Sequence, residues 1–103
     1  MQGVATFNFT RQDTQPPANV AIAALVQATA ESIAAAGGLE TEWNEDRDFN
    51  DLEVHVHYED AVAFAERLTA AGIHPDLCGT IYCDDELTVE SLEMLGFSVA
   101  EEG

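Results

Sequence analysis

Lysine is absent from this sequence, and cationic side chains of any kind are scarce. Only three arginines stand against 20 Asp and Glu residues, so the formal net charge is −17 at pH 7. Binding to nucleic acid or to an anionic membrane requires cationic side chains that neutralise phosphates. The composition therefore argues against direct binding of nucleic acid or of a membrane by the surface of the protein. It predicts a basic partner instead.

Cysteine and long apolar runs are scarce as well. Cys78 and Cys83 are too few for a disulfide framework, so we expect reduced thiols. The start of the chain has no basic segment of the kind that opens a secretory signal. The one long apolar stretch, 18–36, is rich in alanine and broken by polar side chains, which is unfavourable for a membrane span. We therefore expect a cytoplasmic protein.

The sequence does contain enough apolar residues for one folded domain. It has 103 residues, of which 47% are hydrophobic. This proportion favours a packed core over disorder, and the length is that of a single domain covering 1–103. The mixture of strand and helix patterns along it predicts the class α+β.

Apolar residues recur with a period of two in the predicted strands and with helical spacing in the predicted helices. The expected elements are a strand at 3–10, a helix opened by Pro16 and Pro17 and ended by Gly37, strands at 39–44 and 52–58, a helix from Glu59 to Gly72, a strand at 77–83, a short helix ended by Gly96 and a possible edge strand at 97–100. The first six have the order βαββαβ of the ferredoxin-like split βαβ sandwich. The short C-terminal helix and the edge strand are additions to it.

Helical spacing also predicts which side of each helix is buried. The first helix is expected to bury Ile22, Leu25, Val26, Thr29 and Ile33. The second helix is expected to bury Ala61, Phe64, Ala65 and Leu68. The reverse side of the first helix is alanine with almost no charge, which is compatible with a homodimer in which a second copy covers it.

Three further residues receive a structural interpretation. Trp43 alternates with the acidic positions of its strand and is expected in the core. Thr88 is expected to cap the third helix, with Leu87 packed on a later leucine as a hydrophobic staple.

With both long helices on one side of the sheet, the other side is expected to expose these residues: Glu40, Glu42, Glu53, His55 and His57.

The acidic residues are distributed unequally along the chain. Residues 1–39 have a net charge of −1, whereas residues 40–103 have a net charge of −16. Repulsion on this scale destabilises a compact state, so we expect the charge to be used in binding. Phe49, inside the predicted loop 45–51, is either an exposed anchor for a partner or folded back onto the core. The predicted partner-binding residues are Glu40, Glu42, Glu45, Asp46, Asp48, Phe49, Asp51, Glu53, Asp84, Asp85 and Glu86.

These carboxylates suggest imitation of a nucleic acid. Alternate residues of a strand are about 6.7 Å apart, and a DNA strand carries one phosphate per about 3.4 Å. Outward carboxylates on a strand therefore present negative charge at a roughly phosphate-like density. In size and acidity the chain is similar to small phage-encoded inhibitors of host defence, including many anti-CRISPR and anti-restriction proteins. The resemblance implies a non-catalytic protein that blocks a basic DNA-binding or RNA-binding surface in the host cytoplasm. It lies in overall character and assigns no residue a role.

Two alternatives remain open. Proteins of a high-salt cytoplasm are also acidic and poor in lysine, although a bias of that origin should also reach the first helix, which has a single acid. Alternatively, His55 and His57 lie on one strand face and could bind a metal ion, with Glu53 beside them and Glu42 across the hairpin. We expect no tightly bound metal and no cofactor. We also expect no enzymatic activity, because no motif pairs a nucleophile with a general base.

Overall fold

The computed structural model describes residues 3–100 and has a mixed α+β fold with a five-stranded sheet and three helices. A single 3-10 turn, Pro75–Leu77, precedes the fourth strand. The elements in chain order are β1 (Val4–Gln12), α1 (Pro17–Ala36), β2 (Glu40–Asp46), β3 (Phe49–His57), α2 (Tyr58–Ala70), β4 (Ile81–Tyr82), α3 (Glu86–Met94) and β5 (Val99–Ala100).

The strands lie in the order β2-β3-β1-β4-β5. The pairs β2–β3, β1–β3 and β1–β4 are antiparallel, and the short strands β4 and β5 are parallel. A parallel pair requires a crossover connection, which α3 provides. Strand β5 lies at the edge of the sheet, as the sequence predicts.

The core lies between the sheet and the helices, on one side of the sheet. Ala5, Phe7 and Phe9 of β1 are buried, while the residues between them are at least partly exposed. On β3 the same alternation buries Leu52 and Val54. The ring of Phe7 makes an edge-to-face contact with Phe64 of α2 at 4.9 Å between centroids, and a second with Phe97 at 6.4 Å.

Helix α2 confirms its prediction in detail. Its buried residues are the four predicted ones: Ala61, Phe64, Ala65 and Leu68. The helix ends at Ala70, and Gly72 follows it with a φ of 92°, in the left-handed region that glycine adopts without strain. The amide of Ile73 then donates to the carbonyl of Leu68 at 3.0 Å, and the Ile73 side chain is buried. This is the glycine stop with its hydrophobic contact.

Helix α1 is rotated relative to its prediction: of the predicted side, Val26 is buried and Ile33 packs partly buried against the core, but the other two large side chains are exposed. Ile22 and Leu25 are 50% and 69% exposed, and the buried residues are Val26, Gln27, Ala30 and Ala34. Alanine has a short side chain, so this face allows the helix to lie close to the strands. Gln27 Nε2 donates to the carbonyl oxygens of Phe9 and Asn50 at 2.9 and 3.0 Å. These bonds satisfy a buried amide and fix the rotation of the helix.

The outward face of α1 is apolar and uncovered within residues 3–100. It comprises Ala18, Ala21, Ile22, Leu25 and Ala28. By length and composition the helix could cross a membrane, a test that a core helix of a soluble protein also passes. Here its opposite face packs on the sheet. The sequence predicts a second copy on the alanine side of this helix, formed by Ala21, Ala24, Ala28 and Ala35, and that coverage stays a prediction.

Three other expectations are wrong in their details. Trp43 is 39% exposed rather than in the core, because β2 is an edge strand and the indole Nε1 donates to Glu31 of α1 at 2.7 Å. The predicted loop 45–51 is a turn of two residues, since β2 and β3 continue to Asp46 and Phe49. The fourth strand has two residues, Ile81–Tyr82, rather than seven, and Leu77 at the start of the predicted strand belongs to the 3-10 turn instead.

The start of α3 also differs from its prediction. Asp85, not Thr88, is the N-cap: its carboxylate accepts from the Thr88 amide at 3.1 Å and from the Thr88 hydroxyl at 2.6 Å. Leu87 is 76% exposed and forms no staple. With Asp85 as the N-cap, Leu87 is the second residue of the helix and not the residue before the cap, so it does not occupy a staple position.

Gln27 offers a direct test of how α1 is held. Replacing it by leucine removes both donors and leaves the carbonyls of Phe9 and Asn50 without them. We expect Gln27→Leu to lower the free energy of unfolding by about 2 kcal/mol, as for other buried acceptors that lose a donor. Urea unfolding followed by circular dichroism measures the change.

Gln15→Leu is the matched control, because Gln15 is exposed and its side chain makes no hydrogen bond within residues 3–100. Its effect should stay within about 0.5 kcal/mol. Equal effects of the two substitutions would show that α1 is not oriented by Gln27.

Candidate functional site

One face of the sheet has no helix against it. We call this face the open face. It carries the side chains of β1, β2, β3 and β4 that alternate with the buried positions. Its residues are Val4, Thr6, Asn8, Thr10 and Gln12, Glu40, Glu42, Asn44 and Asp46, Phe49, Asp51, Glu53, His55 and His57, and Tyr82.

The strand register arranges the open face in rows that run across the sheet. Glu40 lies opposite His55, and Glu42 lies opposite Glu53. On the other side of β3, Thr6 lies opposite His55. Neighbouring strands are about 4.8 Å apart, so side chains of one row contact each other directly.

The open face is acidic and has no arginine. It carries five carboxylates: Glu40, Glu42, Asp46, Asp51 and Glu53. Arg11 alternates to the opposite side of β1, where its guanidinium Nε lies 2.8 Å from the carboxylate of Asp13. Like charges directly opposite each other on two strands are destabilising, and Glu42 faces Glu53 in this way. The face is therefore rich in negative charge that no arginine of residues 3–100 neutralises.

Neutral side chains hold two of these carboxylates in place. The hydroxyl of Thr10 donates to Asp51 at 2.6 Å, and the amide of Asn44 donates to Glu53 at 3.0 Å. Each donor satisfies one carboxylate oxygen without reducing its charge. In contrast, the side-chain carboxylates of Glu40 and Glu42 make no hydrogen bond or ion pair in the described part of the chain.

His55 sits at the centre of the same face, half-buried. Its Nδ1 is 3.2 Å from the hydroxyl of Thr6, and its Nε2 is 3.6 Å from a carboxylate oxygen of Glu53. Ligand atoms of Glu42, Glu53 and His55 all lie within 4.8 Å of one another, the one such group of three in residues 3–100. His57, the other predicted metal ligand, lies outside this group.

The predicted hairpin residues are divided between the two sides of the sheet. The open face includes Phe49, 37% exposed, at the start of β3 and not in a loop. Glu45 alternates to the helix side, where it accepts a bond from Asn50 Nδ2 at 3.3 Å. Asp48 lies in the turn, and its carbonyl accepts from the Asp13 amide at 2.8 Å. Glu45 is therefore exposed on the side of the sheet opposite the open face, and its role in binding a partner stays a prediction.

The second predicted patch, Asp84 to Glu86, lies away from the first. It follows β4, and β1 and β3 separate β4 from β2. This separation corresponds to roughly 14 Å across the sheet. Asp85 is also engaged as the N-cap of α3. The structure therefore does not join these acids to the hairpin in one continuous surface.

The two cysteine side chains are buried thiols with raised pKa values. Both Cys78 and Cys83 are buried and free of disulfides. Burial raises the pKa of Cys78 to about 12 and also raises the pKa of Cys83. Both side chains are therefore protonated at neutral pH, and the thiolate is the reactive form.

Sequence reasoning missed the contribution of β1 to the open face. Thr6 and Thr10 bond to His55 and Asp51, which are more than 40 positions away in the chain. The alternation of β1 predicts that these threonines point outward, but only the pairing of β1 with β3 places them beside the acids.

Comparison with known proteins finds no family model, no curated protein and no solved structure that matches the chain.

The role of Asp85 can be tested independently of any partner. Asp85→Ala removes the two bonds to Thr88 and should lower the free energy of unfolding by about 1 kcal/mol, the usual effect of losing an N-cap. Thermal unfolding at constant ionic strength measures this loss.

Glu90→Ala provides the control, since it removes the same charge from an exposed position of α3. Relief of repulsion is then equal in both variants. If Asp85→Ala is no less stable than Glu90→Ala, the carboxylate of Asp85 is not a cap and returns to the set of residues available for a partner.

Proposed function

We propose that the protein is a non-catalytic binding protein whose open face occupies a basic, nucleic-acid-binding surface of another protein. The observation that carries this proposal is a sheet face with five carboxylates, no arginine and no helix covering it. A surface of this kind attracts a Lys- and Arg-rich site over a long range and repels nucleic acid.

The spacing of the carboxylates supports imitation of a phosphate backbone. Glu40 and Glu42 are two residues apart on β2, about 6.7 Å along the strand, and Glu53 is opposite Glu42 on the next strand. Guanidinium groups bind carboxylates and phosphates through the same fork of donors. A channel that binds DNA or RNA can therefore accept this face in place of its natural ligand.

The partner class follows from the chemistry and from the resemblance in size and acidity. We propose a DNA-binding or RNA-binding protein of a host defence system, such as a nuclease or a CRISPR complex, met in the host cytoplasm. Phe49, partly exposed beside Asp46, supplies an aromatic contact at one corner of the acidic surface. The acids of 84–86 are a second, separate patch in this proposal.

Charge reversal on the open face tests the proposal. Changing Glu40, Glu42 and Asp46 together to lysine raises the formal net charge from −17 to −11. We expect the rate of association with the partner to fall by at least about 10-fold, because steering depends on the summed field. Single changes should have small effects, since exposed ion pairs contribute only about 0–1 kcal/mol.

The matched control reverses three exposed acids on the helices α2 and α3: Glu66, Glu90 and Glu93. Wild-type protein and both variants are immobilised, loaded with bacterial lysate and washed with double-stranded DNA. A basic protein should be retained by the wild type and the control, lost from the open-face variant and displaced by DNA. Retention of a partner that is not basic, failure of DNA to displace it, or equal losses from both variants would contradict the proposal.

We also propose that the fold is the ferredoxin-like split βαβ sandwich with α3 and β5 added. This is supported by the order β2-β3-β1-β4 with antiparallel neighbours and by α1 and α2 on one side of the sheet. In such a sandwich the side opposite the helices is open to a partner, which agrees with the binding surface proposed above.

Salt adaptation is the second candidate explanation of the charge. It is favoured by acids on α2 and α3, away from the open face, such as Glu66 and Glu90. The two explanations differ in their demand for salt. We expect the protein to remain folded in about 20 mM salt, where charges are screened only beyond roughly 20 Å. Unfolding at low salt, followed by circular dichroism, would favour the salt-adapted protein instead.

A further inference from the structure

We propose that Glu42, Glu53 and His55 form a binding site for a divalent transition-metal ion such as Zn²⁺. The site lies at the centre of the open face, with one ligand from β2 and two from β3. The proposal rests on the arrangement of these three side chains and does not require the protein to bind a basic partner.

The distances between the ligand atoms are compatible with a single ion. Zn²⁺ binds nitrogen and oxygen ligands at about 2.1 Å, so neighbouring ligand atoms of a tetrahedral site are about 3.4 Å apart. Here all three ligand atoms lie within 4.8 Å of one another. Small side-chain rotations close the difference. The side chain of Glu42 is exposed, and its carboxylate makes no hydrogen bond or ion pair within residues 3–100, so the carboxylate is free to rotate.

The orientation of His55 is the feature that separates this group from a cluster of surface acids. A histidine that binds a metal usually donates its other ring N–H to a nearby acceptor, which fixes the ring. His55 Nδ1 is 3.2 Å from the hydroxyl of Thr6, on a third strand. When Nε2 binds the ion, Nδ1–H donates to Thr6 Oγ1. The ring is thus held with Nε2 near Glu53, at 3.6 Å.

The donor set indicates which ions fit. One imidazole nitrogen and two carboxylate oxygens suit Zn²⁺, Co²⁺ and Ni²⁺, whereas Ca²⁺ and Mg²⁺ prefer oxygen ligands alone. A divalent cation between Glu42 and Glu53 also balances two like charges that the register places directly opposite each other. The ligands are partly exposed, which leaves a fourth position for water.

His57 supplies a matched control. It lies on the same strand and the same face as His55, two residues further along, but outside the group of three. A metal bound through surface histidines and general acidity would depend on both residues. Of the two histidines, a metal bound at the proposed site depends on His55 only.

Calorimetric titration of the full chain with Zn²⁺ tests the site, with Co²⁺ absorption as a second readout of coordination. We expect one ion per chain with micromolar or tighter affinity. His55→Gln and Glu42→Gln should each weaken binding by more than about 100-fold, and Thr6→Val by about 10-fold, as for an outer partner of a ligand. His57→Gln should leave the affinity unchanged, and Ca²⁺ should not compete.

Several results would overturn the proposal. These are equal losses in His55→Gln and His57→Gln, unchanged affinity in Glu42→Gln, or displacement of Zn²⁺ by Ca²⁺ at similar concentration. Circular dichroism of each variant shows whether a loss of binding comes from unfolding, and the Co²⁺ spectrum of Thr6→Val then reports the ligand geometry directly. Failure here leaves the binding of a basic partner untouched, since that is measured without added metal.

Discussion

The pairing of β1 with β3 is the constraint on which the rest of the structure depends. Nine residue pairs join the two strands, from Val4 opposite His57 to Gln12 opposite Phe49. Because strand side chains alternate, this one register determines both the core and the open face. A slip of β1 by one residue against β3 would turn Phe7 to the open face and bring Asn8 into the core. The contacts of the Phe7 ring then hold α2 and the segment after α3 on the same side of the sheet.

How much of the fold could be predicted depended on how selective each pattern was. In α2 the apolar residues occupy one stripe, so the buried side followed from the spacing. In α1 almost every position is apolar or small, so several rotations satisfy the same spacing. Gln27 fixes which rotation the helix adopts. The pattern assigns this polar residue to solvent, but its side-chain amide donates to two buried backbone carbonyls. Asp85 and Thr88 illustrate the same limit, since either could cap α3.

The candidate site could be predicted only within the hairpin. Alternation along β2 and β3 placed Glu42, Glu53 and His55 on one face, because those strands are neighbours in sequence and pair directly. Thr6 could not be linked to His55, since their contact spans 49 positions and depends on the order of strands. The separation of the acids at 84–86 from the hairpin is likewise set by strand order, which no local pattern contains.

No arginine among residues 3–100 balances the charge of the open face. The buried polar and charged residues of 3–100 are Gln27, Asn50 and Thr88, so no carboxylate pays a desolvation cost there. The repulsion between Glu42 and Glu53 remains, with no arginine placed to relieve it. A guanidinium of a basic partner and a divalent ion would satisfy the same two carboxylates. If both proposals hold, a bound ion lowers the negative potential that attracts the proposed partner, and the two proposed ligands compete for the centre of this face.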